Sequence, residues 1–292
     1  MNPWLLAIRP KTLPAAIAPV LIGSAMALGD GGFHAPSAFC ALAAALLIQI
    51  ATNLSNDYCD FKKGADTKDR KGPVRVTQAG LIKPSVVLLA AVLSFLLAVL
   101  ACVYLIHRAG IAILIIAVAS IISGIFYTAG PRPLGYLGLG EIFVWIFFGP
   151  VAVGGTYFVQ ILDINWAVVV AGFAPGFLSS AILAVNNLRD MDGDRKVGKL
   201  TLAVRFGRSF ATREYLFCIL AATITPFLIF LITKDHWAIV LSSVVGFCAI
   251  GTVKTVMTTL DAGPLNRALA QTGRWLLLYS VIFSIGWVLC SR

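Results

Sequence analysis

Asn53, Asn56, Asp57 and Asp60 end a long apolar run in the stretch Asn53-Leu-Ser-Asn-Asp-Tyr-Cys-Asp-Phe-Lys-Lys-Gly-Ala-Asp66. Residues three or four apart share one face of a helix, so these four side chains form a single polar stripe. A second stretch, Asn186-Asn-Leu-Arg-Asp-Met-Asp-Gly-Asp194, repeats the arrangement with Asn186, Asp190 and Asp194. Seven of the thirteen acidic residues fall within 57–69 and 190–194. Carboxylates and amides from two converging helices suit hard divalent cations, which take oxygen ligands. Mg²⁺ binds one or two carboxylates and completes its shell with water and substrate phosphate. The two stripes are therefore expected to hold a diphosphate through metal, with the adjoining Lys and Arg side chains sharing its charge. Asp190-Met-Asp-Gly-Asp opens like a calcium loop, but Arg195 and Thr201 stand where that loop requires Gly and Glu.

The elements that position these stripes are set by composition. The chain has 292 residues, 59% hydrophobic and 12% charged, against about 25% charged in soluble domains. It reads as an all-α, polytopic membrane protein in which residues 1–292 form a single transmembrane domain. The apolar runs are long and continuous, unlike the alternating strands of an outer-membrane barrel. The N-terminal Met-Asn-Pro-Trp lacks the basic start of a signal peptide. Six scattered cysteines without a C-x-x-C pair point to core or lipid-facing thiols. His34, His107 and His236 are isolated and read as surface residues of outer loops.

A span needs roughly 17–25 apolar residues. Nine are expected, at about residues 12–29, 35–55, 85–106, 109–129, 141–162, 166–187, 214–233, 237–257 and 273–291. With the N-terminus inside, 20 of the 23 Lys and Arg residues fall on the cytoplasmic side, leaving only Arg108, Lys234 and Arg292 outside. The acidic clusters end spans two and six, so parity puts both on that side. The net charge of +10 is thus explained by loops facing the cytoplasm and anionic lipid, without nucleic acid. The sequences following the two clusters, Lys71-Gly-Pro-Val-Arg-Val-Thr and Lys199-Leu-Thr-Leu-Ala-Val-Arg, are alike enough to suggest a weak internal duplication.

At this point the chain resembles a known family. Asn56-Asp-Tyr-Cys-Asp60 with Asn186-x-x-x-Asp190-x-x-x-Asp194 is similar to the paired aspartate motifs of the UbiA superfamily of intramembrane aromatic prenyltransferases. Three further stretches resemble its MenA branch, which prenylates 1,4-dihydroxy-2-naphthoate in menaquinone synthesis. They are Trp4-Leu-Leu-Ala-Ile-Arg-Pro-Lys-Thr-Leu-Pro, Asp60-Phe-Lys-Lys-Gly-Ala-Asp66 and Tyr127-Thr-Ala-Gly-Pro-Arg-Pro-Leu-Gly-Tyr-Leu-Gly-Leu-Gly-Glu141. The 4-hydroxybenzoate branch commonly carries N-D-x-x-D-x-x-x-D; here position 64 is Gly and the third acid is Asp66.

The resemblance implies a UbiA-like helical bundle with cytoplasmic cap loops, in a bacterial inner membrane. It implies that Asp57, Asp60, Asp190 and Asp194 are the catalytic carboxylates. Asn56, Asp57, Asp60 and Asp66 would hold one Mg²⁺, and Asn186, Asp190 and Asp194 the other. Asn53 and Asp57 have the same spacing as Asn56 and Asp60, so which pair touches metal stays open. Arg75, Arg195 and Lys199 are expected to meet the diphosphate; Tyr127 and Arg132 are expected to close the site on the aromatic acid. The implied reaction joins a polyprenyl group from polyprenyl diphosphate to the naphthoate, with loss of diphosphate and CO₂. Two rivals are weighed beside it: transfer to another aromatic acceptor such as 4-hydroxybenzoate, and a divalent-cation transporter. A transporter would set its acids near the membrane midplane, whereas these sit at span ends.

Overall fold

Prolines and capping side chains decide where the helices begin. In the computed structural model, which describes residues 2–64 and 71–291, Asn2 caps α1 (Pro3–Ile8) by accepting from the Trp4 N–H at 2.9 Å. A 3₁₀ turn at Pro10–Thr12 leads into α2 (Pro14–Gly29). Proline stands in the first turn of α1, α2, α3 (Ala35–Lys62), α4 (Pro84–Ala109) and α7 (Pro150–Ile161), where its missing N–H costs no helical hydrogen bond. Gly110, at φ 74°, is the whole connection between α4 and α5 (Ile111–Phe126); a side chain there would be strained.

Among the described residues, three of the membrane-length segments are broken: Trp237–Thr258 and two earlier ones. Of the earlier two, α6 (Gly140–Phe147) and α7 share one, and α8 (Trp166–Ala171) and α9 (Phe173–Lys196) share the other. After α9 come α10 (Leu202–Phe206), capped by Thr201, and α11 (Arg208–Thr233). A 3₁₀ segment at Trp237–Ser243 precedes α12 (Val244–Cys248), α13 (Ile250–Thr258) and α14 (Ala262–Cys290). The helices pack as a ring: α2 on α3, α3 on α4, α4 on α5, α5 on α7, α6 on α9, α9 on α11, and α14 back on α2. The main core, with Ile22, Leu178, Tyr215, Leu276 and Phe283 fully enclosed, lies among α2, α7, α9, α11 and α14. α4 turns Leu89, Leu93, Leu96 and Leu100 outward, a helical stripe that suits lipid.

The expectation of nine spans is corrected. Seven helices or broken helices among the described residues are long and apolar enough to cross a membrane, or eight if the pair Pro3–Thr12 and Pro14–Gly29, bent by 49°, counts as one. The ninth apolar run is α5, whose helix has 16 residues, about 24 Å at 1.5 Å per residue and short of the hydrocarbon thickness. The sequence run there continues to 129, but the backbone leaves the helix at Tyr127 and turns back. His236 is also more than a surface residue, because its ring stacks on Trp287 with centroids 3.8 Å apart.

Candidate active site

The C-terminal ends of α3 and α9 open onto the same end of the bundle, and three loops close over them. The loop at 71–83 is held by Asp57. Its carboxylate accepts from the Val76 N–H at 3.1 Å, the Thr77 N–H at 3.2 Å and the Thr77 hydroxyl. That turn presents the buried Arg75, whose guanidinium donates to Asp60 at 3.3 Å. The loop at 127–139 is tied to α3 by the Tyr136 hydroxyl, which donates to Asp60 at 3.1 Å, and by Lys63, which donates to the Thr128 carbonyl at 2.7 Å. The third loop, 197–207, joins the second through Leu200 N–H to Tyr136 O at 3.0 Å and Arg205 to Leu137 O at 3.0 Å. Lys71 reaches across to Asp192 at 3.1 Å. The two acidic stripes thus face one enclosed space.

That space is a cavity of about 330 Å³. Its polar end is lined by Asn53, Asn56, Asp60, Arg75, Tyr127, Tyr136, Asn186, Asn187, Lys199 and Arg9. From there it runs down the bundle between Ile48, Ala44, Ala41, Leu105, Ile113, Phe143, Phe147 and Phe148. Asn56 and Ala41 are fifteen residues apart on α3, so the whole cavity extends roughly 22 Å along that helix, and its apolar depth from Ile48 to Ala41 takes roughly 10 Å of that. A molecule with an anionic head and a hydrocarbon tail matches this division.

Asp60, Asp190 and Asp194 each carry a cation. Arg189 grips Asp190 through both nitrogens, at 2.8 and 2.5 Å, and also holds Asn186 at 2.8 Å and Asn266 at 2.7 Å. Lys199 lies 3.4 Å from Asp194. Its ammonium and that of Lys63 both sit over the Tyr136 ring. Arginine and lysine so placed are able to bind phosphate oxygens as readily as carboxylate. Folding brings these cations from the neighbouring loops and from Arg189 on α9 itself.

The predicted site residues separate into groups. Asn53, Asn56, Asp60, Arg75, Tyr127, Asn186 and Lys199 line the cavity; Asp194 adjoins it through Lys199, and Asp190 is linked to it through Arg189, which also holds Asn186. Asp57 faces the 76–77 turn instead, 1% exposed, and holds Arg75 in place from behind. Asn53 also has a structural duty, donating to Ile8 O at 3.0 Å and Thr12 Oγ1 at 3.2 Å and so fixing the N-terminal segment. Arg132 and Arg195 are exposed and outside the cavity lining. Asp66 lies outside the described residues.

Sequence reasoning missed Arg9, Tyr136, and the pair Glu141 and Asn187. Arg9 has the left-handed backbone φ 56°, ψ 69° that turns α1 away from α2 and brings its side chain to the cavity. Tyr127 keeps its phenol proton: desolvation in the cavity wall, with Glu141, Asp194 and Asp60 nearby, pushes its pKa well above the usual value.

Oxygen ligands from Asn56, Asp60, Asn186, Asp190 and Asp194 fit Mg²⁺ chemically, with amides and carboxylates at two facing helix ends and phosphate-binding cations around them. Among the described residues no three His, Cys, Asp or Glu side chains cluster.

With this geometry in place, the comparisons with known proteins are decisive. Residues 16–277 match the UbiA prenyltransferase family. The chain belongs to that family. It is 36% identical over 293 aligned residues to the 1,4-dihydroxy-2-naphthoate octaprenyltransferase of Escherichia coli (strain K12), covering 97% of this chain and 94% of that protein. It is 37% identical over 266 residues to the protein of the same description from Mycobacterium tuberculosis (strain ATCC 25618 / H37Rv), covering 90% of this chain and 86% of the relative. In three dimensions it resembles a UbiA homolog from Archaeoglobus fulgidus bound to GPP and Mg²⁺, with a TM-score of 0.66 at 16% identity over 98% of this chain and 99% of that one. The apo UbiA homolog from Aeropyrum pernix K1 also gives 0.66, at 14% identity, covering 92% and 97%. At such identities the structures speak for the fold alone, and the fold of the family is the fold seen here.

Proposed function

We propose that this chain, acting as one domain over residues 1–292, transfers a polyprenyl group from polyprenyl diphosphate to 1,4-dihydroxy-2-naphthoate, with loss of diphosphate and CO₂. The product class is a demethylmenaquinol, and the setting is a bacterial inner membrane with the N-terminus and the three loops cytoplasmic. The observation that carries this reading is one cavity, roughly 22 Å long, with two acidic, cation-bearing helix ends at its mouth and an apolar depth lined by Ile48, Ala44, Ala41, Phe143 and Phe147. Family membership and relatives above one-third identity, known by that naphthoate activity, select the reaction among those such a cavity permits.

Asn56, Asp60, Asn186, Asp190 and Asp194 would hold Mg²⁺, which when bound offsets the charge of the diphosphate and eases its departure. Arg75, Lys199 and Lys63 gather the same charge from the protein side. Breaking the allylic C–O bond leaves a cation, which the faces of Tyr127, Tyr136 and Phe143 attract. The electron-rich ring carbon bonds to it, and the carboxylate then leaves as CO₂. The loops 71–83 and 127–139 cover the reacting end and keep water from the cation.

Washed membranes containing the chain, labelled polyprenyl diphosphate and either 1,4-dihydroxy-2-naphthoate or 4-hydroxybenzoate would test the assignment. Prenylated naphthol is expected, with little product from the benzoate and none in excess EDTA. Preference for 4-hydroxybenzoate would remove the acceptor assignment, and undiminished turnover in EDTA would remove the metal.

A further inference from the structure

Glu141 is a carboxylate 6% exposed at the start of α6. An ionisable group so placed is costly and calls for a named partner and a use. Its partner is Asn187, whose Nδ2 donates to Glu141 Oε1 at 2.7 Å. Ser180, two turns earlier on α9, donates to the Glu141 backbone carbonyl at 3.2 Å. Gly176, Ser180, Leu183 and Asn187 lie on one face of α9, and all four meet α6 or its N-terminal residue: Gly176 against Trp145, Ser180 and Asn187 against Glu141, Leu183 against Gly140. Packing alone explains the first three. It does not explain why the last position is an amide that also lines the cavity, next in sequence to Asn186, in a cavity that Tyr127, Tyr136 and Lys199 line as well.

The bond to Glu141 settles which way that amide points. An asparagine side chain carries one acceptor and two N–H donors. With Nδ2 turned to the carboxylate, Oδ1 is fixed as the other end of the amide and is the acceptor it can offer inside the cavity. In a cavity that Tyr127, Tyr136 and Phe143 also line, a neutral acceptor suits a phenolic hydroxyl. It suits a carboxylate or phosphate poorly, since both are themselves acceptors.

We propose that Asn187, oriented by Glu141, accepts a hydrogen bond from a ring hydroxyl of the aromatic acceptor and so sets its position and selects for it. Asn187 is the contact and Glu141 a positioning residue. The inference rests on the naphthoate reading above. A site built to bond a substrate hydroxyl discriminates strongly against an analogue lacking the proton.

The test uses the full-length enzyme in membranes, saturating polyprenyl diphosphate, and three acceptors: 1,4-dihydroxy-2-naphthoate and its two monomethyl ethers. In the wild type one ether should lose about three- to tenfold in kcat/KM or more, the range of a single neutral hydrogen bond. In Asn187→Leu the parent acid should fall by about that factor while the same ether is used no worse than the parent, and KM for polyprenyl diphosphate should stay within about twofold. Glu141→Gln, which keeps shape but lets the amide turn over, should raise KM for the parent acid without lowering the thermal midpoint; it also serves if Asn187→Leu fails to fold. A wild-type preference for hydroxyl over ether that survives unchanged in either variant overturns the proposal. So does a KM for polyprenyl diphosphate that rises as much as that for the acid. Failure of the wild type to use the naphthoate would instead strike the underlying assignment.

Discussion

Asp57 and Asp60 are three residues apart on one stripe and do different work. Asp60 faces the cavity with Arg75 and Tyr136 on its oxygens; Asp57 is spent on the backbone of Val76 and Thr77. Asp60→Asn and Asp190→Asn are therefore expected to lower turnover by about a hundredfold or more, the scale of removing one electrostatic contact from a reacting charge, with thermal unfolding nearly unchanged. Asp57→Ala should behave otherwise. It leaves the buried N–H groups of Val76 and Thr77 without an acceptor, while the Thr77 hydroxyl keeps the Asp57 backbone carbonyl at 3.1 Å; at about 1–3 kcal/mol for a single orphaned group, the thermal midpoint should fall along with turnover. Thermal unfolding in detergent beside the prenyl-transfer assay separates the two, and an Asp60→Asn enzyme with near wild-type turnover would take that residue out of the site. The stripe itself was legible because three-and-four spacing is a property of the chain. The division of labour was not, since it depends on how the 71–83 loop folds back. Arg132 and Arg195 show the same limit: each is next in sequence to a site residue or loop, yet its side chain faces outward.

At the scale of elements, the broken segments carry the shape of the cavity. α6 gives way to α7 and α8 to α9 at breaks that touch each other. A Cβ added to Gly172 would lie 2.5 Å from Pro150 Cα and 2.8 Å from the Gly149 carbonyl carbon. Those are backbone atoms with no rotamer to yield. Phe147, Phe148 and Val151, on either side of the first break, line the cavity. Gly172→Ala should thus destabilise the protein by about 1–3 kcal/mol, as overpacking does, and reduce prenyl transfer by shifting that wall. Gly251→Ala is the contrast: that glycine is helical with open space around it, so alanine should leave the thermal midpoint unchanged or raise it. Equal melting of Gly172→Ala and wild type would mean that the two breaks are not rigidly packed. Apolar runs in sequence gave the segments but not their breaks, because Gly-Pro and isolated Gly are tolerated within membrane helices as well as between them. The count of nine failed for a related reason: an apolar run reaching residue 129 does not reveal that α5 stops at Phe126.

At the scale of the whole molecule, the arrangement of charge and the arrangement of the site are one fact. The two stripes, the three loops and the start of α14 meet at a single end, where Asn266 donates to Lys71 O at 3.4 Å and Lys71 pairs with Asp192. Of the three basic residues expected on the other side, Arg108 lies at the far end, donating to Val159 O at 2.7 Å and Gln160 O at 3.1 Å. Parity in the sequence anticipated that both clusters share an end, and it survives the loss of a full ninth span because α5 still returns the chain. Which end faces the cytoplasm is a matter of the membrane rather than of packing, and the excess of Lys and Arg is the physical guide, since loops rich in them are retained inside. Single cysteines placed on a background without the six native ones measure it directly. Val74→Cys and Lys196→Cys occupy exposed positions beside the two acidic clusters, and Asp235→Cys an exposed position in the loop after α11. A membrane-impermeant thiol reagent applied to intact cells should label only Asp235→Cys; the other two should react only after the membrane is opened. Labelling of Val74→Cys and Lys196→Cys from outside would invert the orientation. Labelling of one but not the other would be incompatible with a common mouth, because the loop that carries Val74 and the end of α9 that carries Lys196 are joined by Lys71 and Asp192.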